Sequence, residues 1–149
     1  MSKQLQKITE KQCALTPKKY DDLKVLFLNC TLNRTPILSH TDGLIKVAQN
    51  IFKANGVASK IIRPVDYDIP AGFGLDMSKT DEWDKDDWPL IQKEVDACDI
   101  LIVCTSVWLG EKSSVCNRNL ERMYGYTHLF NEKGQYRHYG KVGATLITG

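Results

Sequence analysis

Two stretches of the chain, Leu23–Cys30 and Asp99–Thr105, are apolar at almost every position. A run of that length without polar alternation marks a strand buried on both faces, and such strands need helices packed on either side. Each run leads into a loop rich in hydroxyl groups and then into a segment of helical period. Ala58–Val65 and Val142–Thr148 read as two further strands. The order is therefore β-α-β-α-β-α-β, which predicts a parallel α/β sheet with right-handed crossovers. Ligands of such sheets sit beyond the carboxyl ends of the strands, where the strand order switches direction. The loops after Cys30, Thr105 and Ile147 are thus the places to look for function.

The helical segments carry their own signals. Ser39 and Asp42 form a capping-box pair, in which side-chain oxygens meet the free N–H groups of a first turn. Leu44, Ile45, Ala48, Ile51 and Phe52 then make one apolar stripe, and Asn55-Gly56 is the stop. Asp87-Trp88-Pro89 opens a second helix, with Asp87 as the cap, proline in the first turn, and Ile91, Val95 and Cys98 facing inward. Ser113 or Ser114 caps a third, with Cys116, Leu120, Met123 and Tyr124 inward. Pro64 places the end of the second strand near a sheet edge. Residues 66–86 form a long loop with Pro70, Gly72 and Gly74; loops of that length are usually functional or disordered. Residues 1–22 are a polar arm, either loose or a short helix, with a break expected at Thr16-Pro17.

Composition excludes several classes. Apolar residues are 42% of 149 and the net charge is +2, so a packed core is expected rather than disorder. There is no run of about 18 apolar residues and no signal-peptide core, so neither a membrane span nor export is expected. The small net charge speaks against a nucleic-acid partner. It hides an uneven distribution: residues 23–65 hold six basic and one acidic group, residues 66–87 two and eight. The run Asp81–Asp87 reads as a solvated loop that ends in a cap, or else as a partner patch.

The five cysteines, Cys13, Cys30, Cys98, Cys104 and Cys116, are widely spaced with no C-x-x-C. They read as small buried hydrophobes in a reducing, cytoplasmic compartment. His40, His128 and His138 are scattered, so no metal set is expected. No nucleophile-base pair stands out, and no catalytic residue is assigned. The glycine-flanked loop Gly134–Gly140 reads as a connector, or else as a substrate-side or subunit contact.

The first strand-end loop, Cys30–Thr41, joins a buried strand to a capped helix. A helix N-terminus offers unpaired N–H groups and a positive dipole end to an anion. Thr31, Ser39 and Thr41 add hydroxyls, Asn33 an amide and Arg34 a cation. That chemistry suits a terminal phosphate, with plain helix capping as the equal alternative. The P-loop and dinucleotide fingerprints are both absent. The second loop, Thr105–Ser114, holds Val107-Trp108-Leu109-Gly110. Its backbone can meet the edge of a planar heterocycle while Trp108 flanks the face and Gly110 permits close approach. The alternative, favoured on the residues alone, is that Trp108 plugs the core.

Together the two loops resemble those of the flavodoxin-like NAD(P)H-dependent FMN reductases and quinone reductases. Thr31 stands at that family's small-hydroxyl position. Ser39-His40-Thr41 is similar to its Ser-Asn-Thr helix start, with His for Asn. Thr105–Gly110 is similar to its Thr-Pro-x-Tyr/Trp-x-Gly loop, with Ser106 for proline. Ser113-Ser114 through Leu120-Glu121-Arg122, and Asp86–Pro89, fit as well.

The resemblance covers residues 23–149 and implies a flavodoxin-like doubly wound sheet. It implies an FMN site with Thr31, Asn33, Arg34, Ser39, His40 and Thr41 on the phosphate. Ser106, Val107, Trp108, Leu109 and Gly110 would lie on the ring system, and Thr148 in a third flavin loop. It further implies ping-pong hydride transfer from NADH or NADPH through FMN to a small-molecule acceptor such as a quinone or flavin, in a homo-oligomer. Four of the five expected strands are present. The last helix, strand and helix would follow Gly149, so the chain reads as C-terminally incomplete, with its fourth strand an exposed edge. A flavodoxin-like electron carrier, or a subunit completed by a partner, are the alternatives.

Overall fold

The computed structural model describes residues 3–15, 20–74, 77 and 83–149. Thr16-Pro17 and the Asp81-Glu82 start of the acidic run lie outside the described residues. Helix α1 spans Lys3–Ala14, so most of the polar arm is helical. Then follow β1 Lys24–Asn29, α2 His40–Ala54, β2 Ala58–Ile62, α3 Trp88–Ala97, β3 Ile100–Trp108, β4 Glu111–Lys112, α4 Ser114–Tyr124 and β5 Val142–Thr148.

Strands β2, β1, β3 and β5 lie side by side in that order, all parallel. This is the flavodoxin-like order 2-1-3-4 when the parallel strands alone are counted. The chain leaves β1 in one direction to make β2, then crosses back to β3 on the other side. The switch therefore falls between the carboxyl ends of β1 and β3. Strand β2 ends two residues before Pro64, which opens a short 3-10 turn, Pro64–Asp66, at the sheet edge.

The period of two in β1 sorts the core into two layers. Val25 and Phe27 pack with Ile45, Val57, Ile102 and Cys104 under α2. Leu26 and Leu28 pack on the opposite face with Trp88, Ile91, Val95, Val103 and Cys116 under α3 and α4. Burying a side chain of this size contributes roughly 1.5–3 kcal/mol, so these central positions dominate stability.

Several expectations are corrected in detail. In α2, Ile45, Ala48 and Phe52 face the core, but Ile51 is 41% exposed. The helix has turned it just past the edge of the stripe. Helix α4 buries Cys116, Asn119 and Arg122, while Leu120 and Tyr124 are exposed. Its orientation is set by a buried ion pair between Arg122 and Asp86, with the guanidinium stacked 4.1 Å from the Trp83 ring centre. Asp87 occupies the cap position of α3 but does not cap with its side chain. Asp86 Oδ1 accepts the Trp88 N–H at 2.9 Å, and Asp87 Oδ2 accepts the Asp68 N–H at 2.8 Å, closing the long loop at its base.

The segment after β3 is a hairpin rather than a loop. Trp108 pairs with Glu111 across Leu109 (φ 51°) and Gly110 (φ 83°). Positive φ at both central residues is the type I′ geometry that matches strand twist.

Candidate functional site

A cavity of about 540 Å³ opens at the switch point, between the loop after β1, the start of α2, the end of β3 and the end of β5. That lies within the 300–1,000 Å³ range usual for cofactor-sized ligands. Nine of the twelve residues singled out from sequence line it. Thr31, Asn33, Ser39, His40 and Thr41 come from the first loop and α2, Ser106, Val107 and Trp108 from β3, and Thr148 from β5. Arg34, Leu109 and Gly110 stand outside it. Arg34 faces a separate small cleft, and Leu109 is a fully exposed hairpin tip. Leu32 and Leu38 also line the cavity and were not singled out from sequence; Gly149, next to Thr148 in the expected third loop, lines it too.

One end of the cavity is built from the start of α2. Ser39 Oγ accepts the Asp42 N–H at 3.2 Å and Asp42 Oδ2 accepts the Ser39 N–H at 2.8 Å, closing the capping box. The capping and anion readings of this loop are thus compatible, because first-turn N–H groups remain beyond those the box uses. Thr41 is buried, and its Oγ1 lies 3.0 Å from Thr148 Oγ1.

The loop rests on a polar brace that sequence reading missed. Arg63 Nη2 donates to both carboxylate oxygens of Asp42, at 2.6 and 2.7 Å, while its Nη1 donates to the carbonyls of Asn33 and Ile37. Asn29 Nδ2 donates to Asp42 Oδ1 at 2.6 Å. Thr35 donates from its N–H and its hydroxyl to Asp66. Burial alone would raise the Asp42 carboxyl. The hydrogen bonds from Ser39 and the Arg63 guanidinium outweigh burial and hold it below the usual carboxylate range. The signal available in sequence was Asp42 itself; its partner lies 21 residues away.

The other end is built from β3 and its hairpin. Trp108 is 58% exposed and its Nε1–H donates to Ser106 Oγ at 2.8 Å. The core-plug reading of Trp108 is therefore overturned: the hairpin carries the indole out of the core and onto the cavity wall. Below it, Ser113 Oγ donates to the Cys30 carbonyl at 2.7 Å, and Thr105 Oγ1 accepts the Ser113 N–H at 3.1 Å. These bonds pin the ends of β1 and β3 to the start of α4.

Cys30, Cys98, Cys104 and Cys116 are buried and free. A hydrogen bond between Cys30 and Cys116 pushes the Cys30 thiol up and the Cys116 thiol down, and burial pushes the Cys104 thiol up to about 12. Among the described residues no cluster of His, Cys, Asp and Glu is placed to hold a metal ion, and no helix is long and apolar enough to cross a membrane.

The family model for NADPH-dependent FMN reductases matches residues 23–149. The chain belongs to that family. It is 45% identical over 141 residues to a protein of Mycobacterium bovis named divalent metal cation transporter MntH, covering 95% of this chain and 20% of that protein. It is 31% identical over 134 residues to 8-demethyl-8-aminoriboflavin-5'-phosphate synthase of Streptomyces davaonensis, covering 85% of this chain and 51% of that one. The fold matches the crystal structure of RosB with the bound intermediate 8-demethyl-8-formylriboflavin-5'-phosphate. There the TM-score is 0.75 and the identity 29%, over 84% of this chain and 51% of that one. The chain thus spans about a fifth and about half of the relatives it matches.

Proposed function

We propose that this chain forms the flavin-binding part of an FMN-dependent oxidoreductase that takes hydride from NADH or NADPH and passes it to a small-molecule acceptor such as a quinone or a flavin. The observation that carries this reading is the meeting, in one cavity, of a capped helix N-terminus with its hydroxyls and an outward-facing indole. The residues fit the group. Ser39, His40 and Thr41 would hold the phosphate through first-turn N–H groups and hydroxyls. Trp108 would flank the ring system, and Val107 would line its edge. Bound there, the flavin supplies the two-electron chemistry. The protein orients it and sets its polarity.

The test is a flavin titration followed by kinetics. FMN should quench Trp fluorescence with a Kd at least tenfold below that of riboflavin, the difference being the phosphate contacts. Mixing the loaded protein with NADPH or NADH should then bleach the flavin. A folded chain that binds riboflavin and FMN alike, or a loaded protein that neither nucleotide bleaches, defeats the proposal. The second outcome would favour the carrier.

A second reading has its own support. One relative is named as a synthase of a modified flavin phosphate, and the matched crystal structure holds a modified riboflavin 5'-phosphate. In that reading the flavin is the substrate of the site. Chromatography of the flavin after prolonged incubation separates the two: a cofactor returns unchanged, a substrate does not.

A further inference from the structure

On the flavin reading of the large cavity, on which this inference rests, we propose that the imidazole of His40 supplies the positive charge opposite the cofactor phosphate. FMN is then held most tightly while His40 is protonated, and its affinity falls as pH rises through neutrality.

Among the described residues that line the cavity, His40 alone has a side chain able to carry a charge. A phosphate monoester brings close to two negative charges at neutral pH. The N-terminus of α2 meets only part of that, the equivalent of about half an elementary charge. The nearby guanidinium groups are committed elsewhere. Arg63 is bonded to Asp42 and to the carbonyls of Asn33 and Ile37, and Arg34 faces the small cleft beyond the loop. His40 is the first residue of α2 and is exposed. It enters none of the ion pairs among the described residues. Histidine is also the side chain whose ordinary change of charge falls between about pH 5 and 8.

The other charged groups around the cavity add little pH dependence in that range. Asp42, two residues along the helix, and Asp66, bonded to the first loop through Thr35, are both held below the usual carboxylate range and stay ionised. Across the cavity, Glu111 and Lys112 of the hairpin pair with each other at 3.9 Å. A carboxylate at Gly149 is ionised throughout as well. The exception is Cys116, which its hydrogen bond to Cys30 lowers to about 7. It packs under α4, on the opposite face of the sheet from α2, and a variant separates its effect from that of His40.

The sign follows from linkage. A dianion favours the charged imidazole, so binding draws a proton to it. The contact is complete while the imidazole is charged and is lost as rising pH removes that proton. Below about pH 6 the phosphate itself gains a proton, so affinity should peak slightly above that point and fall on both sides.

The test is a set of fluorescence titrations with FMN and with riboflavin from about pH 6.5 to 8.5, the range in which histidine loses its charge while the phosphate stays a dianion. The wild-type Kd for FMN should rise roughly five- to tenfold across it, while that for riboflavin stays flat. Calorimetry in two buffers of different ionisation enthalpy should show net uptake of a fraction of a proton with FMN and none with riboflavin. His40→Asn, at an exposed position, should bind FMN at the low end of the range as weakly as the wild type does at the high end, with no proton uptake. Cys116→Ala should keep the wild-type slope. FMN that binds more tightly than riboflavin but equally at every pH, a slope that survives His40→Asn, or one that disappears with Cys116→Ala overturns the role of His40 and leaves the flavin reading intact. FMN that binds no more tightly than riboflavin at any pH defeats both.

Discussion

Thr41 Oγ1 and Thr148 Oγ1 stand 3.0 Å apart, although 107 residues separate them in sequence. The contact joins the first turn of α2 to the carboxyl end of β5, so the floor of the cavity depends on chain segments from both ends of the domain. A hydrogen bond of this kind contributes about 1 kcal/mol net. Thr41→Val and Thr148→Val should each lower stability by about that amount. The double variant should cost less than the two single losses together, with a coupling of about 0.5–1.5 kcal/mol. A denaturant-melt double-mutant cycle measures it, and a coupling of zero would show that the two hydroxyls do not interact in solution.

Arg63 braces the first loop, and its removal should be felt in both stability and pH dependence. Its guanidinium and the Asp42 carboxylate are largely buried, at 12% and 16% side-chain exposure. Arg63→Met should cost about 2 kcal/mol near neutrality, the scale of charge-assisted hydrogen bonds lost around a carboxylate. The sign with pH follows from Asp42 being held below its ordinary value in the folded state. The unfolded chain takes up the proton first as pH falls. The brace is therefore fully present above the ordinary Asp range and fades as pH drops through the lowered folded-state value. Melts from pH 7 down to acid should show the gap between wild type and Arg63→Met narrowing. A constant gap would mean that Asp42 titrates normally.

The strands and the site were legible for different reasons. Leu23–Cys30 and Asp99–Thr105 announced themselves because a strand buried on both faces has no polar positions to blur it, and the loops behind them had to lie at the switch point. Ser39 and Asp42 were legible because capping is local. Arg63 was not, because its partners at Asn33, Ile37 and Asp42 are brought to it by the sheet rather than by sequence spacing. The orientation of α4 was misread for a related reason. An apolar stripe through Leu120 and Tyr124 competes with a face that buries the charge of Arg122, and only the distant Asp86 makes that face favourable. Arg34 shows the limit of a local argument: one peptide unit separates a residue that lines the large cavity from one that faces the other way.

Trp108 should separate binding from stability. Its side chain is 58% exposed and leaves the core layers untouched. Trp108→Ala should shift stability by no more than about 0.5 kcal/mol, as exposed substitutions usually do. It should weaken FMN binding by roughly two- to tenfold, the scale of a lost aromatic stacking contact. Fluorescence or absorbance titration of FMN, read beside a denaturant melt, checks both. A large loss of stability with unchanged flavin affinity would restore the core-plug role.

Leu109 holds a strained backbone with nothing gained from its side chain inside the molecule. Its φ is 51°, a region costly for a branched residue, and the side chain is fully exposed at the hairpin tip. The type I′ turn it shares with Gly110 prefers Asn or Gly at that first position. Leu109→Asn should therefore stabilise the fold by roughly 0.5–1 kcal/mol, since Asn tolerates left-handed backbone and Asn-Gly favours this turn. Because Leu109 stands outside the cavity while Trp108 lines it, FMN affinity in the same variant should stay within about twofold of wild type. A fall in affinity together with a rise in stability would instead assign the exposed leucine to the ligand, as an apolar tip that the hairpin keeps strained for contact. Thermal melts and flavin titrations on this one variant distinguish a turn that is merely imperfect from a turn whose strain serves binding.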